Sequence, residues 1–297
     1  MIPITSLLIV LFIPTFSGGV DWKSFRNNYV PIELPQLRII GGDEAVPHSY
    51  PFVVGLVINE NAFCGGTLLT KNYVLTAAHC AVAMSTVEVI LGVHNIYKNE
   101  STQVRMEVEN ITVHEDFDSG TYQNDIAVLK LKTEAPINDF IQLVDFPERS
   151  HENDTHNNGG VVVLGWGFTD EHVPEKSEVL MYTNVTVLDL ESCRSFFGNS
   201  PDLINELNIC TTGYRNRGTC KGDSGGPLIL DKKQIGITSF GTTLCEICSP
   251  SVYTNVAKYY DWLDENTDLK NRTSEGVFAA LPALGSVLVL AVLALCL

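Results

Sequence analysis

Apolar residues in this chain gather in short runs at 52–58, 87–91, 126–131, 161–164, 179–188, 228–230, 234–240 and 252–256, punctuated by Gly, Pro, Asn and Asp. Short apolar runs closed by turn-forming residues predict strands, and many in succession predict an all-β barrel or sandwich. Only 256–265 has helical spacing, with Tyr259, Tyr260 and Leu263 recurring on one face. The polar, glycine-ended stretch 151–160 is expected to be an exposed loop, and no internal repeat is visible.

Both ends break this pattern. Residues 5–16 are apolar and precede Ser17-Gly18-Gly19, which reads as a secretory signal peptide over 1–18. The run is too short to span a bilayer comfortably, which disfavours the alternative of an N-terminal anchor. Residues 277–297 carry no charged side chain and follow a segment containing Ser274 and Gly276. Small residues ahead of a terminal apolar tail are the pattern of a GPI-attachment signal, here 271–297 with Ser274 as the attachment site and Asn266 or Asn271 as alternatives. A plain transmembrane tail or an incidental one stays open, although no basic residues follow the run to hold it on the cytoplasmic side. The expected location is extracellular, attached to the cell surface by a lipid anchor.

Composition narrows the class. A chain of 297 residues can hold one large domain or two small ones. With a formal charge of −16 it offers no basic stripe for phosphates, so nucleic acid is excluded as a partner. Eight cysteines behind an apolar start indicate an oxidising compartment. The sequons at Asn99, Asn110, Asn153, Asn184 and Asn271 agree with that compartment. Scattered His and Cys lack zinc-ligand spacing, so no metal and no cofactor are expected.

Three segments carry chemistry: Thr-Ala-Ala-His-Cys at 76–80, Asn-Asp-Ile-Ala-Val-Leu at 124–129 and Gly-Asp-Ser-Gly-Gly-Pro at 222–227. A histidine, a carboxylate and a glycine-flanked serine are what a hydroxyl needs to attack a carbonyl at neutral pH. All seven histidines precede Ser224, which excludes the elbow of α/β-hydrolases, where the histidine follows the serine. Over roughly residues 39–266 the chain resembles the chymotrypsin-like serine proteases.

That resemblance implies two packed six-stranded antiparallel β-barrels, at about 39–140 and 145–255, with a C-terminal helix and the site in the crevice between them. It implies a protease domain over 39–270 behind an activation propeptide at 19–38. Ser224 would be the nucleophile, His79 the general base and Asp125 its orienting acid, with Gly222 and Ser224 supplying oxyanion donors. Gly218, Thr219 and Ser251 would form the base of the S1 pocket and Gly241 its mouth. Ser239 and Phe240 would pair with the substrate backbone, and Tyr122 would bound S2. Trypsin-like members carry an aspartate where Gly218 stands, so cleavage after Phe, Tyr or Leu is expected rather than after Arg. Lys221 is read as a solvated side chain, with attraction of acidic groups near the scissile bond as the alternative.

Arg38-Ile39 matches the family's activation junction, with the freed Ile39 amino group expected to pair with Asp223. An Arg-specific protease would then be the activator, since Gly218 argues against self-activation. The resemblance pairs Cys64 with Cys80, Cys193 with Cys210 and Cys220 with Cys245. Cys248 is left as a free thiol, a competitor of Cys245 or a bridge to another chain. Val93 and Gln103 stand where some members place calcium ligands, so no calcium site is expected. The partners implied are protein or peptide substrates and protease inhibitors, acting on a monomer. A catalytically silent binding module and a trypsin-like protease are the alternatives. The former needs a lost triad member, and none is lost.

Overall fold

The computed structural model describes residues 42–170, 173–198, 200–213, 218–242 and 249–270. Arg38, Ile39, Cys245, Cys248, Asn271 and Ser274 therefore lie outside the described residues, as do the signal, propeptide and tail segments.

The strands are, in chain order, β1 (Asp43–Glu44), β2 (Val53–Ile58), β3 (Ala62–Leu68), β4 (Tyr73–Thr76), β5 (Val87–Leu91), β6 (Val104–Val113), β7 (Ala127–Leu131), β8 (Gly160–Gly165), β9 (Phe168–Asp170), β10 (Val173–Lys176), β11 (Met181–Leu188), β12 (Asn208–Thr211), β13 (Pro227–Leu230), β14 (Lys233–Phe240) and β15 (Ser251–Asn255). Strands β2-β3-β4-β7-β6-β5 close into one antiparallel barrel. A second ring of six runs β8-β11-β12-β15-β14-β13 and returns to β8. Closure removes the unpaired edges that open sheets must protect. Every apolar run singled out in the sequence lies on one of these strands, within two residues at each end.

The ends of the described chain cross over between barrels. β1 pairs with β11 of the second barrel, Asp43 opposite Tyr182 and Glu44 opposite Met181. The expected first-barrel span of 39–140 is corrected there: its opening strand belongs to the other barrel. At the far end a 3₁₀ turn, Val256–Tyr259, leads into a helix, Tyr260–Asn266. Val256, Tyr259, Trp262, Leu263 and Leu269 bury against Leu56, Leu75 and Leu129 of the first barrel. Each barrel is thus clasped by a segment from the other end of the sequence. Two further buried contacts bind them: Trp166 Nε1 donates to His94 O at 2.9 Å, and Thr67 Oγ1 donates to Gln234 Oε1 at 2.7 Å.

Two helices have no counterpart in the hydrophobic pattern. α1 (Ala78–Ala81) and α2 (Leu190–Phe196) are too short to show a periodicity of their own. The C-terminal helix, Tyr260–Asn266, is α3. Asp189 caps α2 by accepting from Ser192 N, and a Cys193–Cys210 disulfide ties it to β12. A Cys64–Cys80 disulfide ties β3 to α1. Among the described residues no helix is long and apolar enough to cross a membrane.

Leu263 has no exposure and joins α3 to the first barrel. Leu263→Ala is expected to cost about 3 kcal/mol through lost apolar transfer and a residual cavity, read as a lowered thermal midpoint. A shift under about 1 kcal/mol would mean that the helix is not part of that core.

Candidate active site

His79 sits in α1, one residue before a disulfide that fixes the helix against β3. Asp125 immediately precedes the buried run that becomes β7 and has no exposure. Its Oδ1 accepts the backbone N–H of His79 at 2.8 Å, and its Oδ2 lies 2.8 Å from His79 Nδ1. An ionised carboxylate there holds the proton on Nδ1 and leaves Nε2 as the basic nitrogen. Ser239 Oγ, arriving from β14, donates to the same Oδ2. Thr254 Oγ1 from β15 donates to Asp125 O at 2.8 Å.

Ser224 is carried to this pair by its neighbours. Gly65 N, next to the disulfide, donates to Ser224 O at 2.8 Å, and Gly225 N donates to Thr238 O at 2.8 Å. Gly225 has φ +78, and a Cβ there would meet Thr76 Oγ1 at 2.2 Å and Gly65 O at 2.5 Å. Only glycine fits that approach of the serine loop to the first barrel. No hydrogen bond joins Ser224 Oγ to His79 Nε2, which lies 3.7 Å from Cys80 Sγ. Such bonds are often loose before substrate binds.

Asp223 N donates to Cys220 O at 3.1 Å, whereas no backbone acceptor among the described residues takes the amides of Gly222 and Ser224. Amides without a backbone acceptor can serve an oxyanion where they converge on one point. Gly222 has φ +103, a region that excludes other side chains.

Beside Ser224 lies a cavity of about 130 Å³, with Thr219, Ser239, Phe240 and Gly241 among its lining. Gly218 and Ser251 are buried next to the lining residue Thr219, and a Cβ on Gly218 would stand 3.0 Å from Ser251 Oγ. Thr219 N donates to that hydroxyl at 3.3 Å. Neither Gly218 nor Ser251 carries a charge, and Lys221 is the one ionisable side chain among the described lining. Larger cavities of about 230 and 450 Å³ lie near Asn153 and Arg149, and none of His79, Asp125 or Ser224 lines them. Chemistry, not volume, marks the site.

Aromatic rings wall the remainder. Tyr122, at φ 58, packs edge-on to His79 with centroids 5.6 Å apart and lies 5.5 Å from Phe240. Phe197 in turn packs against Phe240 at 5.9 Å. Cys220 is also disulfide-bonded, and the partner expected for it, Cys245, lies outside the described residues. In the loop at Val93–Gln103 the Gln103 amide donates to Asn95 O at 3.0 Å and to Lys98 O at 2.9 Å. Cys64, His79 and Cys80 come close enough together to share a metal ion, but both sulfurs are spent in the disulfide. Asn99, Asn110, Asn153 and Asn184 are all exposed.

The support given by Ser239 and Thr254 to Asp125 has no signature in the sequence. Asn124, at φ 55, accepts from Tyr259 OH at 3.0 Å. Ser239 stands out in the sequence only as a residue that would face substrate, and Thr254 carries no signal that spacing could reveal.

Asp223 has no exposure, and both its oxygens accept backbone N–H groups: Gly167 N at 2.7 Å and Cys220 N at 2.9 Å. A Cβ on Gly165 or Gly167 would lie 2.2 or 2.4 Å from this carboxylate, so the Gly-Trp-Gly sequence there makes room for it. Burial pushes its pKa up from 3.8 to about 6, against the pull of those two bonds.

Comparison with known proteins converges on one family. The family described as Trypsin matches residues 39–263. A protein named chymotrypsin from Phaedon cochleariae is 36% identical over 88% of this chain and 97% of its own. Brachyurin from Leptuca pugilator is 37% identical over 78% of this chain and 99% of its own. A solved structure titled HL collagenase superposes with a TM-score of 0.70 at 33% identity, covering 77% of this chain and 98% of that one.

The folded chain should lose stability as pH rises from about 4 to about 6, because burial keeps Asp223 protonated after the same group has ionised in the unfolded chain. A folded-state pKa raised from 3.8 to about 6 leaves the chain most favoured below pH 4 and about 3 kcal/mol less so above pH 6. Thermal midpoints of Asp223→Asn should therefore rise relative to wild type between pH 5 and 7.5. A difference that does not change with pH would contradict this.

Proposed function

The chain belongs to the trypsin family and is a serine endopeptidase of chymotrypsin-like fold; on that premise we propose that it cleaves after large apolar residues, once itself cleaved after Arg38. The observation that carries this is the hydrogen-bonded His79–Asp125 pair together with uncharged Gly218 and Ser251, buried against each other next to Thr219 of the cavity beside Ser224.

His79 Nε2 takes the proton of Ser224 as Oγ attacks the scissile carbonyl. Oxyanion charge develops toward the amides of Gly222 and Ser224, and His79 returns the proton to the departing amine. Water then repeats the sequence on the acyl-enzyme. Asp125 keeps the Nδ1 proton in place and stabilises the imidazolium throughout. An Arg side chain entering the pocket would lose its water without meeting a carboxylate, whereas Phe, Tyr or Leu gains from the same burial.

The reading extends to processing. Residues 1–18 act as a signal peptide, 19–38 as a propeptide and 39–270 as the protease, with 271–297 directing lipid attachment at the cell surface. The Ile39 amino group released by an Arg-specific activator inserts beside Asp223, whose fully buried carboxylate lacks a cation among the described residues. That pairing would convert a destabilising charge into a satisfied one.

The test is kcat/KM for the full chain, cleaved after Arg38 with trypsin and freed of trypsin, on peptides differing only at P1. Phe or Leu should lead Arg by at least about tenfold, or about 1.4 kcal/mol of transition-state discrimination. Arg leading would restore the trypsin-like alternative. Complete cleavage without turnover of any peptide would favour the silent module.

A further inference from the structure

One basic side chain at the rim of the site takes no part in hydrolysis as described. Lys176 ends β10 opposite Phe168 of β9, and Phe168 N donates to Lys221 O at 2.8 Å. The β9–β10 hairpin is thereby tied to the residue preceding Gly222. Lys176 Cγ lies 3.8 Å from where a Cβ on Gly222 would stand. Its Nζ lies 5.3 Å from the centroid of the Phe63 ring, which packs edge-on to buried Trp166 at 5.8 Å.

This ammonium is half-buried, and desolvation alone acts on its pKa, lowering it. No described carboxylate forms an ion pair with it, although the chain carries a formal charge of −16. The aromatic face offsets only part of the lost hydration. Lys221, in contrast, is exposed and screened.

The direction it faces follows from the pocket. A substrate with its P1 side chain beside Thr219, Phe240 and Gly241 has its acyl half along 239–241. The leaving half must then pass to the other side of Ser224, beyond Gly222 and Cys64. Phe63 precedes Cys64, and Lys176 covers its ring.

We propose that Lys176 determines specificity on the leaving-group side, selecting peptides with a carboxylate side chain within two residues after the scissile bond. This rests on the protease reading above. An incoming carboxylate completes an ion pair with a cation that is already partly desolvated, so little extra hydration is lost.

The experiment uses the full chain cleaved after Arg38, with competent sites counted first by a serine-directed phosphonate. Peptides with Leu at P1 then carry Ala-Ala, Glu-Ala, Ala-Glu, Lys-Ala or Ala-Lys after the scissile bond. At the favoured position Glu should exceed Lys in kcat/KM by about five- to tenfold at low salt, with the ratio shrinking as salt rises. In Lys176→Gln the ratio should fall within about twofold, and in Lys176→Glu it should invert. Equal rates for Glu and Lys in wild type, or a ratio retained in Lys176→Gln, would overturn the assignment while the titrated sites still stand. Failure of the phosphonate to titrate any site would overturn the protease reading and this inference with it.

Discussion

A carboxylate with no exposure, held between two barrels, is the constraint on which the rest of the molecule turns. Asp125 accepts two bonds from His79 of the first barrel and one from Ser239 of the second. A buried charge left unpaired costs several kcal/mol, so neither barrel alone could carry this residue cheaply. Packing the barrels together and orienting the histidine are therefore a single event. The crossed ends of the chain serve the same purpose, β1 joining the second barrel and α3 sealing the first. A loosened interface would disturb Asp125 before it disturbed any strand.

Asp223 is equally buried but differently provided for. Its oxygens meet backbone N–H groups only, and the glycines at 165 and 167 leave it just enough room. Asp125 thus has side-chain partners, while among the described residues Asp223 has backbone donors only and a pKa pushed up by burial to about 6. Ser224 adjoins this second carboxylate in sequence, so any movement that satisfies Asp223 also moves the Gly222 and Ser224 amides. Two buried acids of like exposure are thus provided for differently, one by side chains from both barrels and one by the backbone amides of Gly167 and Cys220.

Much of this is legible in the residues because the chemistry is local. The strands are readable wherever an apolar run exceeds three or four residues, and their boundaries drift only where turns contribute partial pairing. β1, β3, β4, β6, β9, β10 and β12 have no counterpart among those runs, and β1, with only the two exposed residues Asp43 and Glu44, has no hydrophobic pattern to read. α1 and α2 escape because one or two turns cannot establish a period. The three chemical groups are recognisable from their flanking residues, yet the support beneath them is not. Ser239 reaches Asp125 across 114 positions and Thr254 across 129, distances over which spacing conveys nothing. Lys176 is invisible for a related reason, since only the folded hairpin brings it over Phe63.

The cleft also treats charge unequally along its length. Gly218 and Ser251, next to the cavity lining, carry no charge, and on the proposed reading discrimination there comes from burying apolar surface, about 0.8 kcal/mol for each methylene. Such selectivity is graded, tolerates neighbouring side-chain shapes and is little affected by salt. On the leaving-group side a half-desolvated ammonium acts at longer range but through solvent, so its influence fades with ionic strength. It also opposes the general field of a strongly acidic chain, which repels acidic peptides at a distance. Lys176 can therefore favour an acidic substrate only after encounter, once the peptide is within the cleft and the field of nearby atoms outweighs that of the whole. An effect of that kind belongs to the later steps of recognition and should be carried by dissociation more than by association.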